Sequence, residues 1–326
     1  MSRYILITGG AGFIGSRVSY DLITKNYKII ILDDLSSGSL DFIQKSSIFI
    51  KADIKNYTDI TKKLFKYKNK IDTVFHFAAS LSVEESNYNP MKYYNNNILG
   101  TENILKLAPH LNIKKFIFSS TCAVYGNINK TKISEKDATI PISNYGKTKL
   151  FSEIMIKEFS KKYKFKYAIL RYFNVIGADS HLRSGQILGK SLFKNLSKNI
   201  VNKKFTINLF GNSYDTKDGS CIRDYIDVND LSKLHILSMS KLNKRKSFIL
   251  NCGYNKGYSV KEIVKIFSKI IKKKIKIQYR NKRKGDIKAI YCDNKELKKL
   301  FPKWKREFSI NTSIKNMIKW ENKLLN

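Results

Sequence analysis

A tyrosine and a lysine, Tyr145 and Lys149, stand four residues apart in the segment S-N-Y-G-K-T-K-L. If this segment is helical, both side chains lie on one face of the helix, close enough to interact. A lysine ammonium beside a phenol favours the phenolate, so we expect the pKa of Tyr145 to fall from about 10 towards neutrality. The pair would then serve as a general base. A chain with 19 tyrosines and 62 lysines and arginines also carries such pairs by chance, so the context must decide.

A glycine-rich turn near the start of the chain supplies part of that context. Residues 4–7 predict a short apolar strand, which runs into T-G-G-A-G-F-I-G-S with Gly9, Gly12 and Gly15. An amphipathic helix follows, and residues 28–34 predict a second, buried strand. Glycines at these positions allow a tight turn and let a pyrophosphate approach the N-terminus of the helix, where free N–H groups favour anions. The unit therefore predicts a dinucleotide site.

An acidic residue, Asp33, ends the second predicted strand 18 residues after Gly15. A carboxylate in this position accepts hydrogen bonds from the ribose hydroxyls of an adenosine and repels a 2′-phosphate. We therefore predict NAD, and not NADP, as the cofactor.

The alternation of strands and helices continues beyond this unit. Further strands are predicted at residues 47–53, 72–79, 114–120 and 166–174, and the main helices between them at residues 90–111 and 145–163. This pattern predicts an α/β fold with a Rossmann-type, doubly wound parallel sheet and a smaller C-terminal α/β substrate domain. Such sheets bind ligands at the carboxyl ends of their strands. The residues predicted at those ends are Asp53, Phe77, Ala78, Ala79, Thr121 and Asn174.

Composition excludes several other classes of protein. The sequence has no apolar run of membrane-spanning length, and its N-terminal apolar stretch is too short for a signal peptide, so we expect a cytoplasmic protein without membrane partners. The four cysteines and four histidines are scattered, which argues against a disulfide framework and a metal site.

The net charge of +36 raises the alternative of RNA binding. Lysine dominates over arginine and is spread along the chain, together with abundant Asn, Ile, Tyr and Phe, all of which have A/T-rich codons. Bidentate recognition of bases favours arginine, and the sequence has no motif that combines aromatic and basic residues for RNA. We therefore favour a composition bias and predict no nucleic-acid partner.

The motifs G-G-A-G-F-I-G, H-F-A-A, S-S-T-C-A-V-Y-G, Y-G-K-T-K and R-Y-F-N occur in this order, followed by L-F-G-N-S-Y-D-T-K-D-G-S-C-I-R-D-Y-I-D-V-N-D-L and R-K-G-D. With them, nearly the whole chain resembles the extended short-chain dehydrogenase/reductase family. The last two blocks are the most specific, and they resemble those of the UDP-glucose 4-epimerases within that family.

The resemblance implies a role for each matching residue. Tyr145 would be the base, Lys149 its partner and a ligand of the nicotinamide ribose, and Thr121 the residue that bonds the sugar 4′-hydroxyl. The positions that would line NAD are Gly9, Gly12, Phe13, Ile14, Gly15, Asp33, Asp53, Ile54, Phe77, Ala78, Ala79, Asn97, Tyr145, Lys149 and Tyr172. The positions that would hold the UDP part are Asn174, Phe210, Arg223, Arg283 and Asp286. One departure is Leu81, where some members have a lysine near the pyrophosphate.

The implied reaction interconverts UDP-glucose and UDP-galactose through a 4-keto sugar while NAD stays bound. The implied organisation is a homodimer that associates through residues 90–111 and 145–163. The implied domains are an NAD-binding domain at residues 1–176, with 221–245 returning to it, and a UDP-sugar-binding domain that covers most of residues 177–326.

Two rival functions stay open from the sequence. A nucleotide-sugar 4,6-dehydratase shares the 4-keto step, but related dehydratases carry an Asp-Glu pair directly after the threonine, where this chain has Cys122 and Ala123. A non-catalytic NAD-dependent sensor or scaffold could keep the glycine turn while losing the tyrosine or lysine, and this chain keeps both.

The range of sugars is expected to depend on Ile290. In this family the matching position lies beside the hexose 2-substituent, and a bulky tyrosine there excludes an N-acetyl group. Isoleucine leaves more room, so we expect UDP-N-acetylglucosamine and UDP-N-acetylgalactosamine to be accepted as well. The alternative is that Ile290 is an apolar strand residue packed in the core.

Overall fold

The computed structural model describes residues 3–283 and 286–326, and within these ranges the chain forms two compact units. The first unit comprises residues up to 126 together with 138–171 and 232–250. The second comprises residues 127–137, 172–231 and those from 251 onward. The predicted return of residues 221–245 to the first domain overlaps the returning segment 232–250, and the functional division into two domains stays a prediction.

The first unit is built on a seven-stranded sheet in the order β11-β7-β5-β4-β1-β2-β3. The pairs β1–β2, β1–β4, β2–β3 and β4–β5 are parallel. The strands are β1 (Tyr4–Thr8), β2 (Lys28–Asp33), β3 (Ile48–Lys51), β4 (Ile71–His76), β5 (Lys115–Thr121), β7 (Lys166–Tyr172) and β11 (Phe248–Cys252). The order reverses beside β1, at the point where doubly wound sheets bind dinucleotides, so the predicted Rossmann-type fold is confirmed.

Helices connect these strands. They are α1 (Phe13–Ile23), α2 (Tyr57–Leu64), α3 (Val83–Tyr88), α4 (Pro90–Tyr93), α5 (Gly100–Leu111), α6 (Asn144–Tyr163) and most of α8 (Val228–Lys244). The core between sheet and helices includes Leu6, Ile30, Leu105, Phe116 and Ile156, each at most 1% exposed. Burial of each such side chain contributes about 1.5–3 kcal/mol, which is what holds the strand ends in place.

The segment predicted as one helix at residues 90–111 is helical throughout, but its hydrogen-bond pattern is not that of an α-helix along its whole length. Between α4 and α5 the residues Tyr94–Leu99 form a π-helical turn, which the periodicity did not indicate. Such wide turns are rare and are often found at functional sites because they re-aim side chains. This one contains Asn97, which is 1% exposed.

The second unit contains a five-stranded sheet and a two-stranded sheet. The larger sheet has the order β12-β10-β14-β6, with β8 also paired to β10, and the smaller one pairs β9 with β13. The strands are β6 (Lys132–Ile133), β8 (Asn174–Ile176), β9 (Thr206–Phe210), β10 (Ile222–Asp227), β12 (Gly257–Ser259), β13 (Lys276–Arg280) and β14 (Ala289–Cys292).

The helices of the second unit are α7 (Leu192–Val201), α9 (Val260–Ile271), α10 (Lys295–Leu300) and α11 (Ile310–Leu325). Phe193, Tyr225, Phe267 and Ile314 form the centre of its core. No helix within residues 3–283 and 286–326 is long and apolar enough to cross a membrane.

One strand prediction is wrong. Residues 166–174 were expected to form a single strand that ends at Asn174. The structure instead ends β7 at Tyr172, and Asn174 begins β8, which pairs in parallel with β10 in the other sheet. Because the chain changes sheets at Phe173, Asn174 lies at the start of a strand and not at the carboxyl end of one.

Candidate active site

The glycine turn has a conformation that side chains would disrupt. Gly9 has a φ of +71°, and a Cβ atom there would lie 2.6 Å from the backbone nitrogen of Ala78. A Cβ atom on Gly15 would lie 2.2 Å from the carbonyl oxygen of Gly9. Gly9 thus allows the turn to touch the end of β4, and Gly15 allows α1 to start directly against the turn.

The N-terminus of α1 is open to a ligand. Gly12 is its N-cap, and within the described residues no side chain caps it and no acidic residue occupies its first turn. A Cβ atom on Gly12 would meet only the Gly9 carbonyl oxygen, at 3.3 Å. The first N–H groups of a helix have no partner inside it, and at this end they include those of Phe13 and Ile14. This arrangement fits a pyrophosphate.

Two hydrogen bonds from backbone N–H groups fix the Asp33 side chain at the end of β2. Its Oδ2 accepts from the N–H of Ala11 at 2.9 Å and its Oδ1 from that of Leu35 at 2.9 Å. Burial raises the pKa of Asp33, while these two N–H donors lower it. Each carboxylate oxygen retains a further lone pair, so the side chain fits the hydroxyls of a ribose. The glycine turn and Asp33 together fit NAD.

The other predicted NAD-lining residues of the first unit lie around this turn. The N–H groups of Phe77 and Ala78 donate to the carbonyl of Thr8, at 2.9 and 3.2 Å, and Ala79 follows them half-buried. Asp53 is half-buried and pairs with Lys55 at 3.2 Å. Ile54 differs, since its side chain is 5% exposed within the core.

Asn97 connects three elements from within the π-helical turn. Its Oδ1 accepts from the N–H of Ser80 at 2.8 Å, and its Nδ2 donates to the carbonyl of Ser80 and to Thr148 Oγ1, both at 3.1 Å. The Thr148 hydroxyl in turn donates to the carbonyl of Tyr145 at 2.9 Å. Asn97 thereby ties the loop after β4 to the first turns of α6.

The structure brings Tyr145, Lys149 and Thr121 together. Tyr145 and Lys149 lie in the first two turns of α6, and they are 8% and 2% exposed. Thr121 is the last residue of β5 and is half-buried, and its hydroxyl lies close enough to Tyr145 to oppose the effect of burial on the pKa of the phenol. Gly146 allows this approach, because a Cβ atom there would lie 2.6 Å from the carbonyl oxygen of Ala123.

The predicted lowering of the Tyr145 pKa is wrong for the chain by itself. Burial raises the pKa of Tyr145 above its usual value, and the Thr121 hydrogen bond only partly opposes this. Burial also lowers the pKa of Lys149 to about 7, against the opposing charge of Glu153. Desolvation destabilises both charged forms, and the sequence spacing could not reveal how deeply the pair is buried.

His76 lies behind the pair and is structural. It is 1% exposed, and its Nδ1 and Nε2 lie 2.6 and 2.9 Å from the hydroxyls of Thr8 and Thr101. Burial, followed by the charge of Lys149, lowers the pKa of His76 to about 3. The ring is therefore neutral at physiological pH. Because the Thr101 hydroxyl donates to the carbonyl of Asn97 at 2.6 Å, Nε2 carries the proton and Nδ1 accepts from Thr8.

The residues predicted for UDP lie in the second unit, in two groups. The Arg283 guanidinium lies 3.8 Å from the centre of the Phe210 ring. Arg223 Nη2 lies 4.0 Å from Asp286 Oδ1, and Arg223 is paired in register with Ile290 across β10 and β14. Lys284 and Gly285 of the R-K-G-D motif lie outside the described residues.

Three other predicted residues lie in this unit apart from those groups. Tyr172 is 6% exposed at the end of β7, while Asn174 is exposed at the start of β8. Ile290 is 4% exposed in β14, so the side chain is mostly packed, and its role in sugar selection stays a prediction.

Comparisons with known proteins agree with this geometry. Residues 5–253 match the NAD dependent epimerase/dehydratase family. The chain belongs to this family. UDP-arabinose 4-epimerase 1 of Arabidopsis thaliana is 35% identical, and the alignment covers 98% of this chain and 79% of that protein.

Solved structures of similar proteins extend the match. The UDP-glucose 4-epimerase of Brucella ovis in complex with NAD has a TM-score of 0.92 at 32% identity, with 98% of each chain covered. The UDP-Glc/GlcNAc 4-epimerase of Campylobacter jejuni has a TM-score of 0.85 at 35% identity, covering 98% of this chain and 99% of that one. As a member of an NAD dependent family whose cofactor cradle is intact, the protein uses NAD.

Sequence reasoning missed several residues that shape the site. Gly146 could have been recognised only from the contact with Ala123. Glu153 could have been noticed, since it follows Lys149 by four residues on the same helical face. Its partner Arg171 is the first residue of the R-Y-F-N motif, but the sequence could not show that the two side chains pair. Among the described residues, no group of three or more His, Cys, Asp or Glu side chains is arranged to hold a metal ion.

Proposed function

We propose that this protein interconverts UDP-glucose and UDP-galactose by inverting carbon 4 of the sugar through a 4-keto intermediate. The observation that carries the proposal is the assembly of Tyr145, Thr121 and Lys149 in the unit that also contains the dinucleotide cradle. The UDP-sugar 4-epimerases among its relatives support the same reaction.

The chain's own residues handle the proton of the reaction. Tyr145 Oη takes the proton of the sugar 4′-hydroxyl, and it returns that proton when carbon 4 is reduced again. Thr121, whose hydroxyl lies near the Tyr145 phenol, holds the 4′-oxygen in line for this transfer. Bound NAD would supply the acceptor and donor of hydride and, in its oxidised form, an additional positive charge.

The raised pKa of Tyr145 makes that additional charge necessary. In the chain alone burial keeps the phenol protonated, and Lys149, with a pKa of about 7, carries only part of a positive charge at neutral pH. A phenolate therefore forms only when further positive charge lies near the ring. This limits base activity to the enzyme with oxidised cofactor bound.

The residues proposed for the UDP part suit its chemistry. Arginine forks bind a diphosphate with paired hydrogen bonds, and an aromatic ring such as Phe210 can pack on a base. The Asp286 carboxylate can accept from ribose hydroxyls. Because binding energy is then concentrated on the part of the substrate that does not react, the hexose is free to present either face.

Product analysis tests this proposal. Purified protein is incubated with UDP-glucose and, separately, UDP-galactose, and the nucleotide sugars are separated by chromatography. We expect the same equilibrium mixture from both starting points without added NAD. A 4-keto-6-deoxy product would favour the dehydratase alternative, and an unchanged substrate would favour a sensor or scaffold.

The proposal extends to N-acetylated sugars through Ile290. A residue smaller than tyrosine at this position of β14 leaves volume for an acetamide. A relative in Campylobacter jejuni named for both UDP-Glc and UDP-GlcNAc supports this range. The same assay with UDP-N-acetylglucosamine gives the answer directly.

We also propose a homodimer formed through residues 90–111 and 145–163. These segments expose large apolar side chains, among them Met91, Leu99, Phe151 and Ile154, each between 38% and 63% exposed. Such a group on packed helices marks an interface. Analytical ultracentrifugation of the wild type should give a dimer, and Phe151→Glu should give a monomer.

The four cysteines are free thiols, which supports a reducing compartment such as the cytoplasm.

A further inference from the structure

A buried ion pair lies behind the catalytic helix. Glu153, on α6, is 0% exposed, and Arg171, on β7, is 3% exposed. The guanidinium binds both carboxylate oxygens, with Nε to Oε1 at 2.9 Å and Nη2 to Oε2 at 2.6 Å. The Ser120 hydroxyl donates to Oε1, and Arg171 Nη1 donates to the Tyr125 hydroxyl at 2.9 Å. The bidentate geometry fits an ionised carboxylate.

A buried ion pair is by itself weak evidence for a role in stability. Removing two charges from water costs several kcal/mol for each ion, and replacing a buried pair by apolar residues of similar size is often neutral or stabilising. A fully buried pair in the wall of a site therefore needs another explanation than holding the fold together.

The position of Glu153 relative to Lys149 suggests an explanation for the buried ion pair. The two residues are four apart on α6, so their side chains occupy the same helical face, about 5–6 Å apart at Cβ. The Glu153 charge is the interaction that opposes the effect of burial on Lys149. Because Arg171 is positive and is paired with Glu153, it in turn reduces the effect of the Glu153 charge on the pKa of Lys149.

Charged and titratable groups surround Lys149 on several elements. On α3 and α4, which pack against α6, Glu85 accepts a hydrogen bond from the Tyr93 hydroxyl at 2.8 Å. On β4, His76 is neutral, and on α6, Tyr145 is protonated in the chain alone. The turn after β5 contributes Cys122, and β7 contributes the positive Arg171. On β5 the nearest contact is the Phe118 ring, with Lys149 Nζ 4.6 Å from its centre. Of these described groups, Glu153 is the acidic side chain on the same face of α6 as Lys149, and its bidentate pairing with Arg171 fits the ionised form.

We propose that Glu153, held by Arg171 and Ser120, is a positioning residue whose charge keeps the Lys149 ammonium protonated in the active site. This inference rests on the proposed function, in which charged Lys149 stabilises the Tyr145 phenolate. The ion pair thus sets the pH range in which the catalytic pair works, and Arg171 moderates the effect of Glu153.

The proposal requires that substitutions of Glu153 and of Arg171 shift the pKa of Lys149 in opposite directions. Glu153→Gln removes the negative charge and leaves Arg171 unpaired, so Lys149 loses its proton at lower pH. Arg171→Met leaves Glu153 uncompensated, so Lys149 keeps its proton to higher pH. An opposite charge at this range moves a pKa by about 1–3 units, so we expect each variant to shift the alkaline limb of kcat/KM by about one pH unit, in opposite directions.

The experiment measures pH profiles of epimerisation for the wild type, both single variants and the double variant Glu153→Gln/Arg171→Met. The double variant leaves no unpaired charge behind, and its alkaline limb should lie between those of the single variants. Glu158→Gln is the matched control, because Glu158 lies on the same helix in an exposed pair with Lys161. Its profile should coincide with that of the wild type. Thermal unfolding confirms that each variant is folded.

A second readout does not depend on turnover. With ¹³C-labelled lysine, NMR titration follows the Lys149 side chain, assigned by its absence in the spectrum of Lys149→Arg. Its midpoint should fall in Glu153→Gln and rise in Arg171→Met. If both variants shift in the same direction, or neither shifts relative to Glu158→Gln, the ion pair only supports the fold and the proposal is wrong. If the wild type converts no UDP-hexose, the proposed function fails, while the NMR titration still decides the role of Glu153.

Discussion

The residues proposed for catalysis and those proposed for the UDP group are held in different ways. Tyr145, Lys149 and Asn97 are between 1% and 8% exposed. The side chain of Asn97 makes hydrogen bonds to two other segments of the chain, the loop after β4 and the start of α6. In the second unit, Arg283 and Asp286 are exposed, and the described contacts of their side chains are a ring face and an ion pair at 4.0 Å.

This difference indicates that the buried residues and the exposed residues do different work. A proton-transferring group must be held in one geometry with a fixed charge environment, which burial and a closed hydrogen-bond network provide. A diphosphate group is recognised by long, charged side chains that can complete their bonds only when the ligand arrives. Changes in the first group should therefore reduce kcat, and changes in the second should raise KM.

The largest effect should come from Tyr145→Phe. The ring and its packing against Tyr93 stay, while the acidic proton is removed. Loss of a general base lowers rates by about 10²–10⁴-fold, and we expect kcat to fall within that range with KM little changed. The control is the NAD content after denaturation, which should equal that of the wild type. Activity within a few-fold of the wild type would remove Tyr145 from the mechanism.

Removal of one arginine from the second unit should give the opposite pattern. In Arg283→Ala the stacking on Phe210 and the charge for the diphosphate are both lost. Hydrogen bonds to charged groups contribute about 1.5–3 kcal/mol, so we expect KM for UDP-galactose to rise by about 10–100-fold with kcat nearly unchanged. Arg280→Ala, at the end of β13, is the control. A fall in kcat alone would show that the two regions do not divide the work in this way.

The same contrast explains what the sequence could and could not predict. The glycine turn, Asp33 and the Tyr145–Lys149 pair lie within short motifs on regular elements. Their spacing in the sequence was therefore enough to predict at which ends of strands and helices they lie. The pKa of Tyr145 was mispredicted, and the lowered pKa of Lys149 was not foreseen, because burial depends on distant residues. The π-helical turn at Asn97 and the partner of Glu153 depend on contacts between segments that are far apart in sequence.

Ile290→Tyr should change the choice of sugar and leave the reaction intact. The larger ring would overlap the acetamide of an N-acetylated hexose, and such a clash is a common way to exclude a substrate. We expect the ratio of kcat/KM for UDP-N-acetylglucosamine to that for UDP-galactose to fall at least about tenfold. Ile290→Val, which adds no volume, is the control and should keep the ratio. If the wild type does not convert the N-acetylated sugar, or the tyrosine variant still does, selection is made elsewhere.

The smallest effect concerns the neutral network behind the catalytic pair. His76 has a pKa of about 3 in the folded protein, below the usual 6.5, because burial and Lys149 oppose its charge. A base whose pKa is lowered on folding contributes stability that is complete above 6.5 and is lost as the pH falls through the window from 6.5 to 3. Between pH 7 and 5 this loss amounts to about 2 kcal/mol, since each full pH unit below the unfolded pKa costs about 1.36 kcal/mol.

Urea unfolding at pH 7 and pH 5 measures this contribution when the wild type is compared with His76→Gln. Glutamine can still donate to Thr101 and accept from Thr8, but it does not titrate. Asp227, whose pKa burial raises to about 6, changes stability in the opposite direction over part of this range, but equally in both proteins. The pH-dependent loss should therefore be about 2 kcal/mol larger in the wild type. An equal loss in both would mean that His76 is charged or solvated in the folded state, and the rigid, neutral support inferred for the catalytic region would not exist.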